Sequence, residues 1–192
     1  MDEQELRRAL RDSAELRILT ILQLAMTAGV ILFLLVVVVL HVAREAGPVD
    51  STMARTAQIL SVVHVATAVG CWGMAFFLYN ALLRAGNRAA VDEPRDEHSD
   101  ENTKTDSQAR HSFLALRNAT MVRLALLEAA AIFGLVVLLI AALCGVLGKQ
   151  PLYWVNLVSP VFFIAFAFLT LPSEDRVIEK LRQVTHESHQ EA

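Results

Sequence analysis

The sequence predicts an all-α fold: a polytopic membrane protein with four transmembrane helices in an up-down bundle and an amphipathic surface helix at each end. Three observations predict it. Apolar residues make up 55% of the 192-residue chain and charged residues 19%, where an ordinary soluble domain carries about 25% charged residues. Four stretches hold no Asp, Glu, Lys or Arg: Ile18 to Leu40, Thr56 to Leu83, Ala129 to Gly148 and Gln150 to Ser173. Each reaches the roughly 18 to 20 residues a helix needs to cross a bilayer, and backbone groups in hydrocarbon must pair within their own segment. The bases, finally, are segregated, with 14 of the 17 Lys and Arg on one side of the four stretches. These features exclude a soluble domain and a disordered chain. A net charge of −3 offers no basic field for nucleic acid.

Residues 1–16 are read as an N-terminal cytoplasmic surface helix. Leu6, Leu10 and Ala14 share a face, and Arg7, Arg8 and Arg11 flank it. Span one follows, over about 17–42. It begins after a charged segment and outruns the roughly 7 to 15 apolar residues of a signal peptide, so it is read as retained. Span two covers about 56–83. The connection 86–107 has seven acids, three bases and no aromatic residue, which predicts a solvated, disordered cytoplasmic loop. From about Gln108 the pattern turns helical, ahead of span three at about 119–147. Span four covers about 152–171 and completes a membrane domain of 17–171. Pro172 then stops the helix, Ser173 can cap a new one, and Glu174 and Asp175 suit its positive first turn. Val177, Ile178, Leu181 and Val184 form an apolar stripe, so 172–192 is read as a second cytoplasmic surface helix and tail.

Bases collect on the cytoplasmic side of a membrane. The tally therefore places both termini and the middle loop inside, in a multi-pass protein of the cell inner (plasma) membrane.

Polar residues within the spans are the candidate sites. Glu128 is the only acid deep in a span, about a third of the way in from the cytoplasmic end. A charge there is expensive, so its carboxyl should face other helices. Ala131, Gly134, Ala141, Gly145 and Gly148 make a small-residue seam beside it, on which another helix can pack closely. Span one presents Thr20, Gln23 and Thr27 on one face. Gln23 and Glu128 lie at similar depth, and a hydrogen bond between them is expected. One reading is a proton or cation site of Glu128, Gln23 and Thr27. The plainer one is a buried carboxyl that sets helix register.

A second cluster is expected in the outer half. Span two carries Ala57, Ser61, His64, Ala68, Cys71 and Ala75 along one line. Asn156 and Ser159 of span four match the depth of His64, and Pro160 deprives the Asn156 carbonyl of its helical donor. A polar cluster of His64, Asn156 and Ser159 follows. No cofactor is expected; a b-type haem on His64 would need a second axial ligand, with His41 the histidine in reach. Tyr153 and Trp154 read as an outer aromatic belt and Tyr79 as an inner one, with Trp72 packed deeper and Arg123 reaching to the headgroups. Cys71 and Cys144 are small apolar fillers, too far apart to bridge. His186, Glu187 and His189 read as tail rather than metal site. The motifs of nucleotide, zinc-protease, redox and serine-hydrolase chemistry are absent from the sequence.

The segment L-L-E-A-A-A-I-F-G-L-V-V is similar to the carboxylate-bearing helix of rotor-ring proteolipids, the c subunits of ATP synthases. The resemblance implies that Glu128 would bind the ion and Gln23 would assist. It covers about a dozen residues, and span one lacks that family's glycine-rich first helix, so the rotor function is not carried over. More broadly, the chain looks like small uncharacterised bacterial four-span proteins. In these an R-x-x-L-L-E-like segment opens the third span and a Pro followed by a charged helix closes the fourth. That likeness implies a fold and a membrane. The expected function is non-enzymatic: a structural or accessory subunit in the lipid bilayer, packed with itself as a homo-oligomer or with a membrane-protein partner.

Overall fold

The computed structural model describes residues 14–43, 51–91 and 101–171. Most of the expected surface helix 1–16 and all of 172–192 lie outside the described residues. The elements are helical, with no strand among the described residues: α1 (Ala14–Ala43), α2 (Ser51–Val91), α3 (Glu101–Leu143), a 3-10 turn (Pro151–Leu157) and α4 (Val158–Leu169). Four segments are long and apolar enough to cross a membrane: Arg17–Ala43, Thr52–Gly86, Leu114–Leu143 and Pro151–Leu169.

Three features depart from the sequence reading. The expected loop 86–107 is narrower, because α2 continues to Val91 and α3 begins at Glu101. Residues such as Arg88, Ala89 and Ala90 are good helix formers. Span three also ends earlier than 147. Gly145 takes a positive φ of 69°, and the Val146 N–H reaches back to the Ala141 carbonyl at 3.1 Å. This is a glycine-closed helix end, so Gly145 serves the turn rather than the packing seam. Span four is split. Pro160 has no N–H to give the Asn156 carbonyl, and the segment before it winds as a 3-10 turn before α4 begins.

The chain divides into two compact units, Gln23–Ala75 with Leu124–Thr170, and Phe76–Arg123 with the two ends of the chain. In the first, α3 supplies the middle of the core: Leu127, Ala131, Leu135, Leu138 and Ala141 are fully buried at helical spacing. Val30 and Val37 of α1, Ala57 and Ala75 of α2, and Phe163 of α4 pack against them. Trp72 packs on Phe162 with ring centroids 4.5 Å apart. The small residues expected to line one face of span two are turned inward, Ala57 and Ala75 completely so. The side chains turned away from this core are large and apolar, among them Leu32, Leu35, Val62 and Val69. In the second unit, Leu19, Leu116 and Ala119 are buried. The Arg123 guanidinium lies over the rings of Phe76 at 4.4 Å and Tyr79 at 4.9 Å. Arg123 and Tyr79 thus meet each other, where the sequence had assigned each separately to the headgroup level.

Candidate functional site

The densest polar cluster of the described residues is built on three helical segments, and His64 is its centre. The ring of His64 is 2% exposed, Asn156 is 0% and Ser159 is 2%. His64 Nδ1 lies 2.8 Å from Asn156 Oδ1. Nε2 lies 2.8 Å from Ser159 Oγ and 3.2 Å from the Ala130 carbonyl oxygen. Asn156 Nδ2 donates to Ser61 Oγ at 2.9 Å and to the Tyr153 carbonyl at 2.9 Å. Ser61 in turn donates to the Ala57 carbonyl at 2.9 Å. The three residues that the sequence grouped by depth are therefore brought together, and each buried polar atom named here has a partner, as a low-dielectric interior demands.

Local chemistry explains why this arrangement forms. Ser61 and His64 are three residues apart on α2 and share a face; Asn156 and Ser159 do the same across the 3-10 turn. The Asn156 carbonyl that Pro160 leaves without a helical donor faces Gly134 of α3. A Cβ on Gly134 would fall 2.5 Å from that oxygen, 2.7 Å from Ser159 Oγ and 2.8 Å from His64 Nε2. Only a glycine lets α3 come this close. Phe133 meets the His64 ring edge-on, with centroids 5.5 Å apart.

The sequence reading had Gly134 only as a packing residue and Ser61 only as part of a line. The signal that links them to His64 is their register: Ser61 precedes His64 by one turn, and Gly134 follows Ala130 by one turn. The role of the Ala130 and Tyr153 carbonyls has no side-chain signature. Tyr153 itself departs from its expected place in an aromatic belt, being 2% exposed with its hydroxyl on the Ala54 carbonyl at 3.0 Å. Trp154 is exposed and packs edge-on against His41.

At the other expected site the Gln23 amide takes partners other than Glu128. Gln23 is 1% exposed, and its Nε2 donates to the Ala167 carbonyl at 2.6 Å and reaches Thr170 Oγ1 at 3.3 Å. The expected bond from this amide to Glu128 is thus replaced by bonds to α4 and its end. Thr27 donates to the Gln23 carbonyl at 2.8 Å, a bond within its own helix. Glu128 is half-buried. Gln23 Oε1 is buried without a hydrogen-bond partner.

A haem on His64 and His41 does not fit these residues. Both His64 nitrogens are engaged, and α3 closes on the ring at Gly134. His41 stands elsewhere, its Cε1 3.6 Å from where a Cβ on Gly148 would lie. No group of three metal-ligating side chains occurs among the described residues. No family model, curated protein or solved structure matches this chain.

Proposed function

We propose that the chain is a non-enzymatic, multi-pass protein of the bacterial inner membrane that serves as a structural or accessory subunit. It packs with copies of itself or with a membrane-protein partner. In this reading the four spans form an up-down bundle, amphipathic helices at 1–16 and 172–192 lie along the headgroups, and both termini and the middle loop are cytoplasmic. The distribution of Lys and Arg supports that orientation. The large apolar side chains turned outward on α1 and α2 support a lipid surround.

The observation that carries the packing role concerns three glycines. A Cβ added at Gly29, Gly70 or Gly73 would meet nothing within 4 Å. Glycine inside a helix costs about 1 kcal/mol relative to alanine, and close approach of another helix is what makes it useful in a membrane. The small residues facing inward on α2 and α3 are already covered within the chain, so these outward glycines are what remains for a second molecule. Native mass measurement in mild detergent tests this. An oligomer or a co-purifying membrane protein is expected, reduced by Gly70→Leu with Gly73→Leu; a clean monomer with no partner overturns it.

The unpartnered Gln23 Oε1 favours a second reading, a proton or cation site at Glu128 with Gln23 and Thr27. Flux in proteoliposomes should then fall for Glu128→Gln and persist for His64→Ala. Equal flux in both sinks it.

A further inference from the structure

We propose that Phe76, Asn80 and Arg84 of α2, with Arg123 of α3, form a binding site for the headgroup of an anionic glycerophospholipid in the cytoplasmic leaflet. The choice of leaflet rests on the orientation proposed above; the binding itself does not.

The register of the two helices builds the site. The Arg123 guanidinium lies 4.4 Å from the Phe76 ring centroid and 4.9 Å from that of Tyr79. Further along α2, a Cβ on Gly86 would overlap that of Ala115. Numbers on α2 therefore rise as those on α3 fall, and the two helices are antiparallel over this stretch. All of these residues belong to one compact unit. Phe76, Asn80 and Arg84 follow one another at four-residue spacing, so they share a ridge of α2. All three are exposed. Arg84 stands about two turns beyond Phe76, about 12 Å along the axis, and Asn80 lies midway. The ridge thus has a cation at each end and an amide between them.

Three features suit a lipid phosphate. Guanidinium N–H groups match phosphate oxygens in pairs, and the Asn80 amide adds a donor. Sequence neighbours do not cancel the charge, because Phe76 to Val91 and Gln108 to Arg123 contain no Asp or Glu. The level is that of a headgroup, since Arg84 is the first charge after the charge-free run Thr56 to Leu83.

A phosphodiester beside Asn80 meets Arg84 from the aqueous side and Arg123 from the hydrocarbon side. The rings of Phe76 and Tyr79 hold Arg123 in place before the lipid arrives, which lowers the ordering cost of binding. Phe77, 69% exposed, offers apolar surface to the acyl chains. A zwitterionic lipid has the same phosphate but brings its own cation, which two arginines repel.

The test is native mass spectrometry of the full chain in mild detergent, titrated with phosphatidylglycerol or with phosphatidylcholine. Micelles have no sides and binding is read per chain, so neither a reversed orientation nor a monomeric state alters the outcome. One phosphatidylglycerol should bind each chain about tenfold more tightly than phosphatidylcholine. Arg84→Gln should weaken that binding about fivefold, the share of one surface arginine. Lys180→Gln, which removes the same charge from the C-terminal tail, should leave it unchanged. Equal affinity for the two lipids, undiminished phosphatidylglycerol binding by the Arg84→Gln chain, or equal weakening by Lys180→Gln overturns the proposal.

Discussion

Replacing Gly134 with alanine adds a single methyl group at the closest approach of α3 to span four. Its carbon would sit 2.5 Å from the Asn156 carbonyl oxygen, where ordinary contact begins at 3.4 Å. That oxygen must therefore retreat by about 0.9 Å, and it belongs to backbone, so the 3-10 turn moves with it. Ser159 Oγ and His64 Nε2 must retreat as well, which stretches the bonds on both sides of the imidazole. Overpacking of this kind costs about 1–3 kcal/mol, and two net hydrogen bonds add about 1 kcal/mol each. Alanine returns about 1 kcal/mol through its helix propensity. The net loss is about 2–4 kcal/mol. Reversible unfolding of the monomer in mixed micelles of mild detergent and dodecyl sulfate measures it. Gly29→Ala, whose methyl meets nothing within 4 Å, is the control and should be neutral or gain up to about 1 kcal/mol. If the two variants unfold alike, the close approach at Gly134 is not what holds these helices.

Further outcomes follow from the same contacts. Asn156→Leu removes the partner of His64 Nδ1 and the side-chain donor to the Tyr153 carbonyl; orphaning the buried ring nitrogen should destabilise by about 1–3 kcal/mol in the same unfolding measurement. Gln23→Leu gives up the bond to the Ala167 carbonyl but also removes the unpartnered Oε1, so its effect should stay within about 1 kcal/mol. Arg123→Gln loses the cation held over Phe76 and Tyr79 and should destabilise by about 0.5–2 kcal/mol, with Arg123→Lys retaining part of it. For orientation, in a chain carrying Cys71→Ala and Cys144→Ala, an impermeant maleimide should label Lys149→Cys on intact cells. It should reach Asp96→Cys only after permeabilisation; the reverse pattern would overturn the assignment of the cytoplasmic side.

The sites were unequally legible. His64, Asn156 and Ser159 could be grouped because a buried polar side chain has few places to find a partner, and equal depth on neighbouring spans narrows them further. Gln23 and Glu128 satisfied the same depth argument, yet the Gln23 amide turns to α4. A backbone carbonyl near a helix end is as good an acceptor as a carboxyl, and sequence carries no mark of which carbonyl lies opposite. The same blindness hid Ala130, which contributes only its carbonyl, and misplaced Tyr153, whose hydroxyl finds Ala54 in the interior.

What the sequence by itself determined is set by solvent and by backbone chemistry. Runs without charge, long enough to span hydrocarbon, leave helix as the only way to pair the backbone. Which helix faces meet was decided by tertiary structure alone. Close packing depends on the three-dimensional fit of one glycine, one freed carbonyl and one imidazole, contributed by α3, span four and α2. Periodicity along any single helix does not contain that fit.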